Sequence, residues 1–174
     1  SAHGSTPWLG DNAVLKAIDV FRKIETLPFT RESSELFDRP SINLGRIVGG
    51  DALNKVPDLC VIDVDVRYLP GQDYKAIRAA VEELPDVRVV KIFHRHPAIV
   101  ARDDPYVQAL GEAISRVAAP TSERLGVGRD GASDAISFLE AGVPAVECGP
   151  SGDGHHGPEE WVSIRSLGEY RAAL

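Results

Sequence analysis

The segment of residues 149–161 holds the side chains of this sequence that are best suited to chemistry. It contains two adjacent histidines, His155 and His156, in a stretch where six of thirteen residues are Gly or Pro. Because Gly and Pro interrupt regular helices and strands, the segment is predicted to be a loop. Imidazole is the commonest transition-metal ligand in proteins. Since successive side chains in an extended loop diverge, we expect one of the two histidines, and not both, to bind a given ion.

Other candidate positions each have a plain structural explanation beside the functional one. His3 lies in a loop where solvation alone would account for it, and Asn54 is typical of a turn. Arg67 is predicted on the polar face of a strand, where an ion pair across the sheet is the simpler role. Ser133 or Asp134 could cap a helix, or the backbone N–H groups at that helix start could hold a carboxylate.

The bulk composition of the 174 residues narrows the class of protein. Hydrophobic residues make up 43% and charged residues 26%, which is typical of a globular chain. A net charge of −7 without a basic stripe argues against a nucleic-acid partner, and no apolar run reaches the roughly 18 residues of a membrane span. Cys60 and Cys148 lie in apolar runs and are expected to be buried thiols in a reducing compartment. We therefore expect a cytoplasmic protein with no membrane partner.

The first half of the chain is predicted to run helix, strand, strand, helix, strand. The first helix follows a cap at Asp11 or Asn12, the strands cover residues 41–48 and 59–68, the second helix covers 73–84 and the last strand 87–93. One more strand in front would complete a ferredoxin-like repeat. That strand is missing and the chain does not begin with Met, so we expect a fragment of a longer protein.

The second half is predicted to alternate helices and short strands. Helices are expected at 105–117, at 133–141 and from 163 onward, with strands at 124–127 and 144–148. Such alternation is typical of part of a parallel sheet covered by helices. A metal site needs three or four ligands, and the sequence has no second cluster such as His-Glu-x-x-His. Composition and spacing therefore indicate an α/β hydrolase-like piece with an incomplete metal site.

Taken in order, these motifs resemble those of the zinc-dependent amidohydrolase and peptidase family of acetylornithine deacetylase, succinyl-diaminopimelate desuccinylase, aminoacylase and carboxypeptidase G. The matching segments are residues 2–13, Gly49-Gly50 with 54–57, 65–67, 131–135, and 149–150 with 156–162. The resemblance implies an α/β fold in two parts. Residues 1–96 would be an α+β, ferredoxin-like dimerisation (lid) domain lacking its first strand, and residues 97–174 the C-terminal portion of a helix-covered α/β catalytic domain.

The resemblance also implies roles for particular residues. His3 would help to stabilise the oxyanion in a partner's active site, and Asn54 would contact substrate across the dimer. Arg67 and the Ala132-Ser133 segment would hold the substrate carboxylate, although many relatives have Thr where this chain has Ala132.

The resemblance further implies a site of two zinc ions, with cobalt or manganese as possible replacements. His156, four residues before Glu160, corresponds to the family's late histidine ligand, whereas His155 does not. The other ligands would lie in sequence that this chain does not contain.

The predicted function is hydrolysis of an amide bond in an N-acyl amino acid or small dipeptide. We expect the full-length protein to do this as a homodimer, and the 174-residue chain itself to be inactive. The alternative is a dimerisation or binding module without catalysis. A serine hydrolase built on Ser133 and Asp134 is disfavoured, because the sequence has no Gly-x-Ser-x-Gly elbow there.

Overall fold

The computed structural model describes residues 1–118, 128–129 and 131–174, which form two compact units, Ser1–Phe93 and His94–Leu174. Both units mix helices with short antiparallel sheets, which confirms the predicted α/β class. The strand predicted at 124–127 lies outside the described residues. No helix in the described part of the chain is long and apolar enough to cross a membrane.

The helices of the first unit begin at side chains that satisfy their first backbone N–H groups. Helix α1, Ala13–Ile24, is capped by Asn12, whose side chain accepts the N–H groups of Val14 at 3.0 Å and Leu15 at 3.3 Å. Helix α2, Tyr74–Glu82, is capped in the same way by Asp73. Short 3-10 helices cover Pro7–Leu9 and Pro28–Arg31. Both predicted helices are therefore confirmed, and a polar cap defines the start of each.

The sheet of the first unit pairs β1, Ser41–Gly49, with β2, Cys60–Arg67, in antiparallel register. Along β2 half-buried and exposed residues alternate as predicted. Along β1 the predicted alternation is wrong after Leu44, because a β-bulge lies between Leu44 and Arg46. The extra residue reverses the faces, so that Ile47 lies opposite Ile62 and Arg46 lies opposite Asp63.

The buried hydrophobic side chains of the first unit come from α1, from the 3-10 helix Pro28–Arg31 and from the loops beside the sheet. Phe21 and Ile24, three residues apart, lie on one face of α1, which contacts both strands. Phe29, Val56 and Leu69 are the other buried hydrophobic residues of this unit. Val56 belongs to the connection between β1 and β2, and its burial anchors that connection to the core.

The strand predicted at residues 87–93 is not part of either described sheet. The segment is extended, and its side chains include Val90, 69% exposed, and Phe93, 82% exposed. Alternating side chains are only half of what makes a strand, because its backbone N–H and C=O groups also need a neighbouring strand. The described sheet ends at β1 and β2, so the prediction of a sheet strand was wrong.

The second unit contains helices α3, Pro105–Val117, α4, Ala135–Glu140, and α5, Ile164–Ala173. Helix α3 packs against α5. The described sheet of the second unit is a pair of two-residue antiparallel strands, β3, Gly152–Asp153, and β4, Trp161–Val162. The predicted strand at 144–148 is extended without a sheet partner in the described residues. The expected parallel sheet is therefore not observed there, since parallel strands require neighbours beside them.

The two cysteines are free thiols, as expected, but they are half-buried and not buried. Cys60 begins β2 opposite Gly49, in a two-stranded sheet beside which no further strand is found among the described residues. Cys148 lies in the extended segment at 144–148, and burial raises the pKa of its thiol. An apolar run predicts deep burial only where other elements cover it.

Candidate functional site

The structure brings together two of the predicted site residues, His3 and Asn54, which are far apart in sequence. His3 lies opposite Lys55 in an isolated antiparallel bridge. The N–H of Gly4 donates to the carbonyl of Asn54 at 2.7 Å, and the N–H of Val56 donates to the carbonyl of Ala2 at 2.8 Å. Since Val56 is 4% exposed, the bridge holds this segment against the core of the first unit.

Gly4 permits the close approach of the two chains. A Cβ atom at position 4 would lie 3.0 Å from both Cα and the carbonyl carbon of Asn54. Such contacts are shorter than real Cβ atoms ordinarily make, so a side chain here must push the segments apart. The close approach of the His3 segment to Asn54 therefore depends on the absence of a side chain at position 4.

Exposed ion pairs lie along the same connection on its solvent side. The Lys55 ammonium lies 3.1 Å from Asp51 and 3.7 Å from Asp58. The hydrogen bond and charge of Lys55 hold the pKa of Asp51 below its ordinary value, and Asp51 raises that of Lys55. Exposed pairs of this kind contribute little stability, so we assign the position of Asn54 to the backbone bridge.

The His3 ring is exposed, and its Nδ1 atom is held by the neighbouring serine. Nδ1 accepts the backbone N–H of Ser5 at 3.2 Å and lies 2.7 Å from the Ser5 hydroxyl oxygen. The carbonyl of His3 accepts the N–H of Thr6 at 3.0 Å, which closes a turn over these residues. His3 thus projects from a turn whose backbone fixes one side of the ring.

Arg67 ends β2 on the exposed face of the sheet. Its Nε donates to Asp65 of the same strand at 2.9 Å, so the expected pairing across the sheet is wrong for this residue. The pair across the sheet is Arg46 with Asp63 at 2.7 Å, because the bulge in β1 turns Arg46 to that face. The Asp65 contact occupies one of the five N–H donors of a guanidinium group.

Ser133 precedes α4 in the second unit. Its hydroxyl accepts the N–H of Ala135 at 3.2 Å, whereas the side chain of Asp134 makes no capping hydrogen bond. The helix-capping explanation is therefore confirmed for Ser133 and wrong for Asp134. Ala132, beside it, is exposed. No described contact connects these residues to His156.

The two adjacent histidines occupy the tip of a tight turn. The N–H of Gly157 donates to the carbonyl of Gly154 at 2.8 Å, which places His155 and His156 at the two central positions. His156 has φ of 63°, in the left-handed region that few residues other than glycine adopt. The predicted loop is confirmed around the histidines, whereas Gly152–Asp153 and Trp161 of the same segment belong to short strands. The two histidine side chains leave consecutive positions of the turn.

A short hairpin beneath this turn was not predicted from the sequence. Strands β3 and β4 pair below it, and the N–H of Ser163 donates to the carbonyl of Ser151 at 2.8 Å. Ser166, 7% exposed, accepts the N–H of Ser151 through its hydroxyl at 2.9 Å. The signal for Ser166 was slight: a small polar residue in the first turn of a helix, three residues after the cap at Ser163.

Of the two histidines, His155 lies beside a carboxylate. Its Nδ1 atom is 3.3 Å from a carboxylate oxygen of Glu160. In the described residues no group of three or more His, Cys, Asp or Glu side chains is placed to hold a metal ion. Since zinc takes three or four protein ligands, these residues do not form a zinc site by themselves.

Comparisons with known proteins agree along the whole chain. The profile described as the peptidase dimerisation domain of the M20 family matches residues 1–91. An acetylornithine deacetylase from Edwardsiella ictaluri is 27% identical over 100% of this chain and 47% of its own length. A putative succinyl-diaminopimelate desuccinylase from Mycobacterium tuberculosis is 29% identical over 86% of this chain and 41% of its own. The chain thus spans less than half the length of these relatives.

A solved structure shows the same fold. A tripeptidase from Staphylococcus aureus superposes with a TM-score of 0.60 at 20% identity, covering 99% of this chain and 46% of the tripeptidase. The dimerisation-domain match covers more than half of the chain and agrees with the motifs of the deacetylases and desuccinylases. The chain therefore belongs to the M20 peptidase family, which includes these deacylases.

Proposed function

We propose that the full-length protein hydrolyses an amide bond in an N-acyl amino acid or small dipeptide, as a homodimer joined through the dimerisation domain of this chain. The observation that carries the proposal is the bridge that holds His3 beside Asn54 inside the matched domain. The names of the relatives, which include a deacetylase, a desuccinylase and a tripeptidase, support the class of reaction.

His3 and Asn54 would act on the charge that develops during amide cleavage. Attack on an amide carbonyl moves negative charge onto its oxygen, and donors aimed at that oxygen stabilise the transition state. An imidazole N–H of His3 and the side-chain amide of Asn54 are both donors, and both residues are exposed. In the proposed dimer they serve the active site of the partner subunit, and each donor is worth roughly 2.7–4 kcal/mol.

Arg67 and the Ala132-Ser133 segment would bind the carboxylate of the substrate. Arg67 has a planar fork of donors, and its contact with Asp65 uses only Nε. The Ser133 hydroxyl already accepts the N–H of Ala135, so its own proton remains a possible donor to a carboxylate.

His156 would supply one ligand to a zinc site, with two zinc ions per site and cobalt or manganese as possible substitutes. Its left-handed backbone conformation supports a functional role, since such strain is concentrated at functional positions. In this proposal the other ligands belong to the rest of the full-length protein, since the described residues contain no group of three or more His, Cys, Asp or Glu side chains placed to hold a metal ion. Zinc, when bound, would supply Lewis-acid polarisation of the amide carbonyl.

The test uses the full-length protein with acetylornithine, succinyl-diaminopimelate and a set of dipeptides and tripeptides. We expect zinc-dependent hydrolysis of one class. We expect His3→Ala to lower kcat by about 10²–10³-fold with little change in KM, because an oxyanion donor acts in the transition state. His156→Ala should lose bound zinc, whereas His155→Ala is the matched control and should keep it.

Failure of the full-length protein to hydrolyse any of these amides would reject the proposal. So would equal loss of zinc from the two histidine variants, because it would remove the distinction between His155 and His156. We also expect the 174-residue chain alone to be inactive, and turnover by the purified chain, free of host enzymes, would contradict this.

A second candidate function is dimerisation or binding without catalysis. It is favoured by the match of residues 1–91 to a dimerisation domain and by a described sheet of only two strands, whose outer edges can pair with another strand. Sedimentation of the chain tests it. A concentration-dependent dimer supports the module, and a strict monomer at high concentration counts against it.

A further inference from the structure

In the turn that carries His3, one ring nitrogen lies beside a group that can donate a hydrogen bond but cannot accept one. This donor is the backbone N–H of Ser5, 3.2 Å from Nδ1 of His3. A peptide N–H has no lone pair to offer, so the contact is favourable only when Nδ1 is unprotonated. In a neutral imidazole the proton then lies on Nε2.

The Ser5 hydroxyl strengthens the same preference. Its oxygen lies 2.7 Å from Nδ1, the shorter of the two contacts. By itself a hydroxyl could donate to Nδ1 or accept from it, but the backbone N–H beside it makes Nδ1 an acceptor. The hydroxyl therefore turns its proton toward the ring, and both donors of Ser5 stabilise one tautomer.

The surrounding backbone keeps Ser5 in this position. The N–H of Thr6 donates to the carbonyl of His3, and the N–H of Gly4 donates to Asn54 on the neighbouring segment. Ser5 thus lies in a turn that is closed by one backbone hydrogen bond. A second hydrogen bond joins the turn to the connection that contains the buried Val56. The ring of His3 is held at Nδ1 while Nε2 remains the nitrogen that can reach a ligand.

We propose that Ser5 is a positioning residue that holds neutral His3 in the tautomer protonated on Nε2, so that this N–H donates to the substrate oxygen. The inference rests on the proposed function, in which His3 is an oxyanion donor. The opposite tautomer would present a lone pair from Nε2 to the developing negative charge, which is repulsive. Ser5 would therefore act on catalysis through His3 and without touching the substrate.

The experiment measures the tautomer directly in the 174-residue chain. The ring nitrogens are labelled with ¹⁵N and read by long-range ¹H–¹⁵N correlation at about pH 8.5, well above the ordinary histidine pKa of about 6.5. His3→Gln assigns the His3 signals. We expect an unprotonated shift for Nδ1 and a protonated shift for Nε2. Ser5→Ala keeps the backbone N–H and removes the hydroxyl, so both shifts should move part of the way toward their average. Ser5→Thr, which keeps the hydroxyl, should restore the separation.

The four other histidines of the chain are internal controls and should not respond to changes at Ser5. Averaged or reversed nitrogen shifts in the unchanged chain would overturn the proposal, and so would identical His3 spectra for Ser5→Ala and the unchanged chain. Amide spectra establish that the variants are folded, and a disordered Ser5→Ala is replaced by Ser5→Cys, whose thiol is a weaker donor to Nδ1.

Kinetics of the full-length protein separate this proposal from the proposed function. We expect Ser5→Ala to lower kcat by roughly five- to tenfold with KM unchanged, the loss that matches one hydrogen bond of ordinary strength, and Ser5→Thr to recover it. If the nitrogen shifts respond to Ser5 but His3→Ala keeps full activity, the tautomer assignment stands and the oxyanion role of His3 fails.

Discussion

The two segments that carry the candidate chemistry are held in place by different kinds of contact. His3 and Asn54 meet through backbone hydrogen bonds between distant parts of the first unit. His155 and His156 lie on a turn closed by Gly154 and Gly157, above a hairpin formed by nearby residues. The first arrangement exists only when its unit is folded, whereas the second is largely determined by local sequence.

This difference matters for what each segment does in the proposed function. Two oxyanion donors must keep a defined spacing, and a bridge tied to the buried Val56 provides it. A single ligand needs one side chain at a fixed direction, which a turn anchored at Ser166 can supply. Substitutions that loosen one segment should therefore leave the other unchanged.

The largest effect is expected for Gly4→Ala. The added Cβ would lie 3.0 Å from backbone atoms of Asn54, so the bridge must open or distort. We expect a loss of about 1–3 kcal/mol in the free energy of unfolding, measured by urea denaturation. Amide hydrogen exchange should show faster exchange at residues 4 and 56 and no change at Gly157.

The matched control is Gly45→Ala in the same unit. A Cβ there would meet Asp63 at 3.6 Å, an ordinary contact, so a smaller loss is expected. Equal losses for the two substitutions would show that the close approach at Gly4 is not a determinant of the bridge.

Ser166→Ala should have the next largest effect, confined to the second unit. It removes the buried hydroxyl that accepts the N–H of Ser151, and we expect a loss of about 1 kcal/mol. Exchange should accelerate at Ser151 and Ser163, while the amides of Gly4 and Val56 keep their protection. Ser115→Ala, at an exposed hydroxyl on α3, is the control, and an equal loss there would contradict a special role for Ser166.

His156→Gly and His155→Gly should change stability in opposite directions. His156 has φ of 63°, so glycine relieves backbone strain there, and we expect a gain of about 0.5 kcal/mol. His155 is outside the left-handed region, so glycine only adds freedom to the unfolded chain and costs about 0.5–1 kcal/mol. Urea denaturation compares the two variants, and the same sign for both would refute the turn geometry.

The smallest effect is a pH dependence in the second unit. Burial lowers the pKa of His94, and the nearby His96 lowers it further against an opposing effect of Glu140. Because unfolded His94 binds its proton more readily, its contribution to stability is present above about pH 6.5 and is lost as the pH falls through the folded pKa. His94→Gln should make urea denaturation less pH-dependent between about pH 7 and 5, and an unchanged pH dependence in this variant would contradict the assignment to His94.

Local sequence signals predicted the helices and the histidine loop well. Asn12, Asp73 and Asp104 each accept the first backbone N–H groups of a helix, as residues of their type do. The Gly-rich composition around His156 predicted a turn because glycine alone adopts such backbone freely. These features depend on neighbours within a few residues, so they can be read without the fold.

Other features were not predicted because they depend on contacts with a neighbouring strand. The bulge between Leu44 and Arg46 depends on the register with β2, and it reversed the predicted faces of half a strand. The extended segment at 87–93 has the side-chain pattern of a strand but no sheet partner in the described residues. Arg67 pairs with Asp65 of its own strand, and the residue opposite it on β1 is the uncharged Ser41.

The sequence by itself determined the family, the helices and the residues with suitable chemistry, since motifs, caps and turns are encoded by neighbouring residues. Only the tertiary structure decided that His3 and Asn54 lie side by side, and that Ser5 holds Nδ1 of His3. The physical reason is that a backbone bridge between distant segments forms only after a core has ordered both. The core around Val56 forms from residues distant in sequence, so no local sequence pattern shows which residue will lie beside His3.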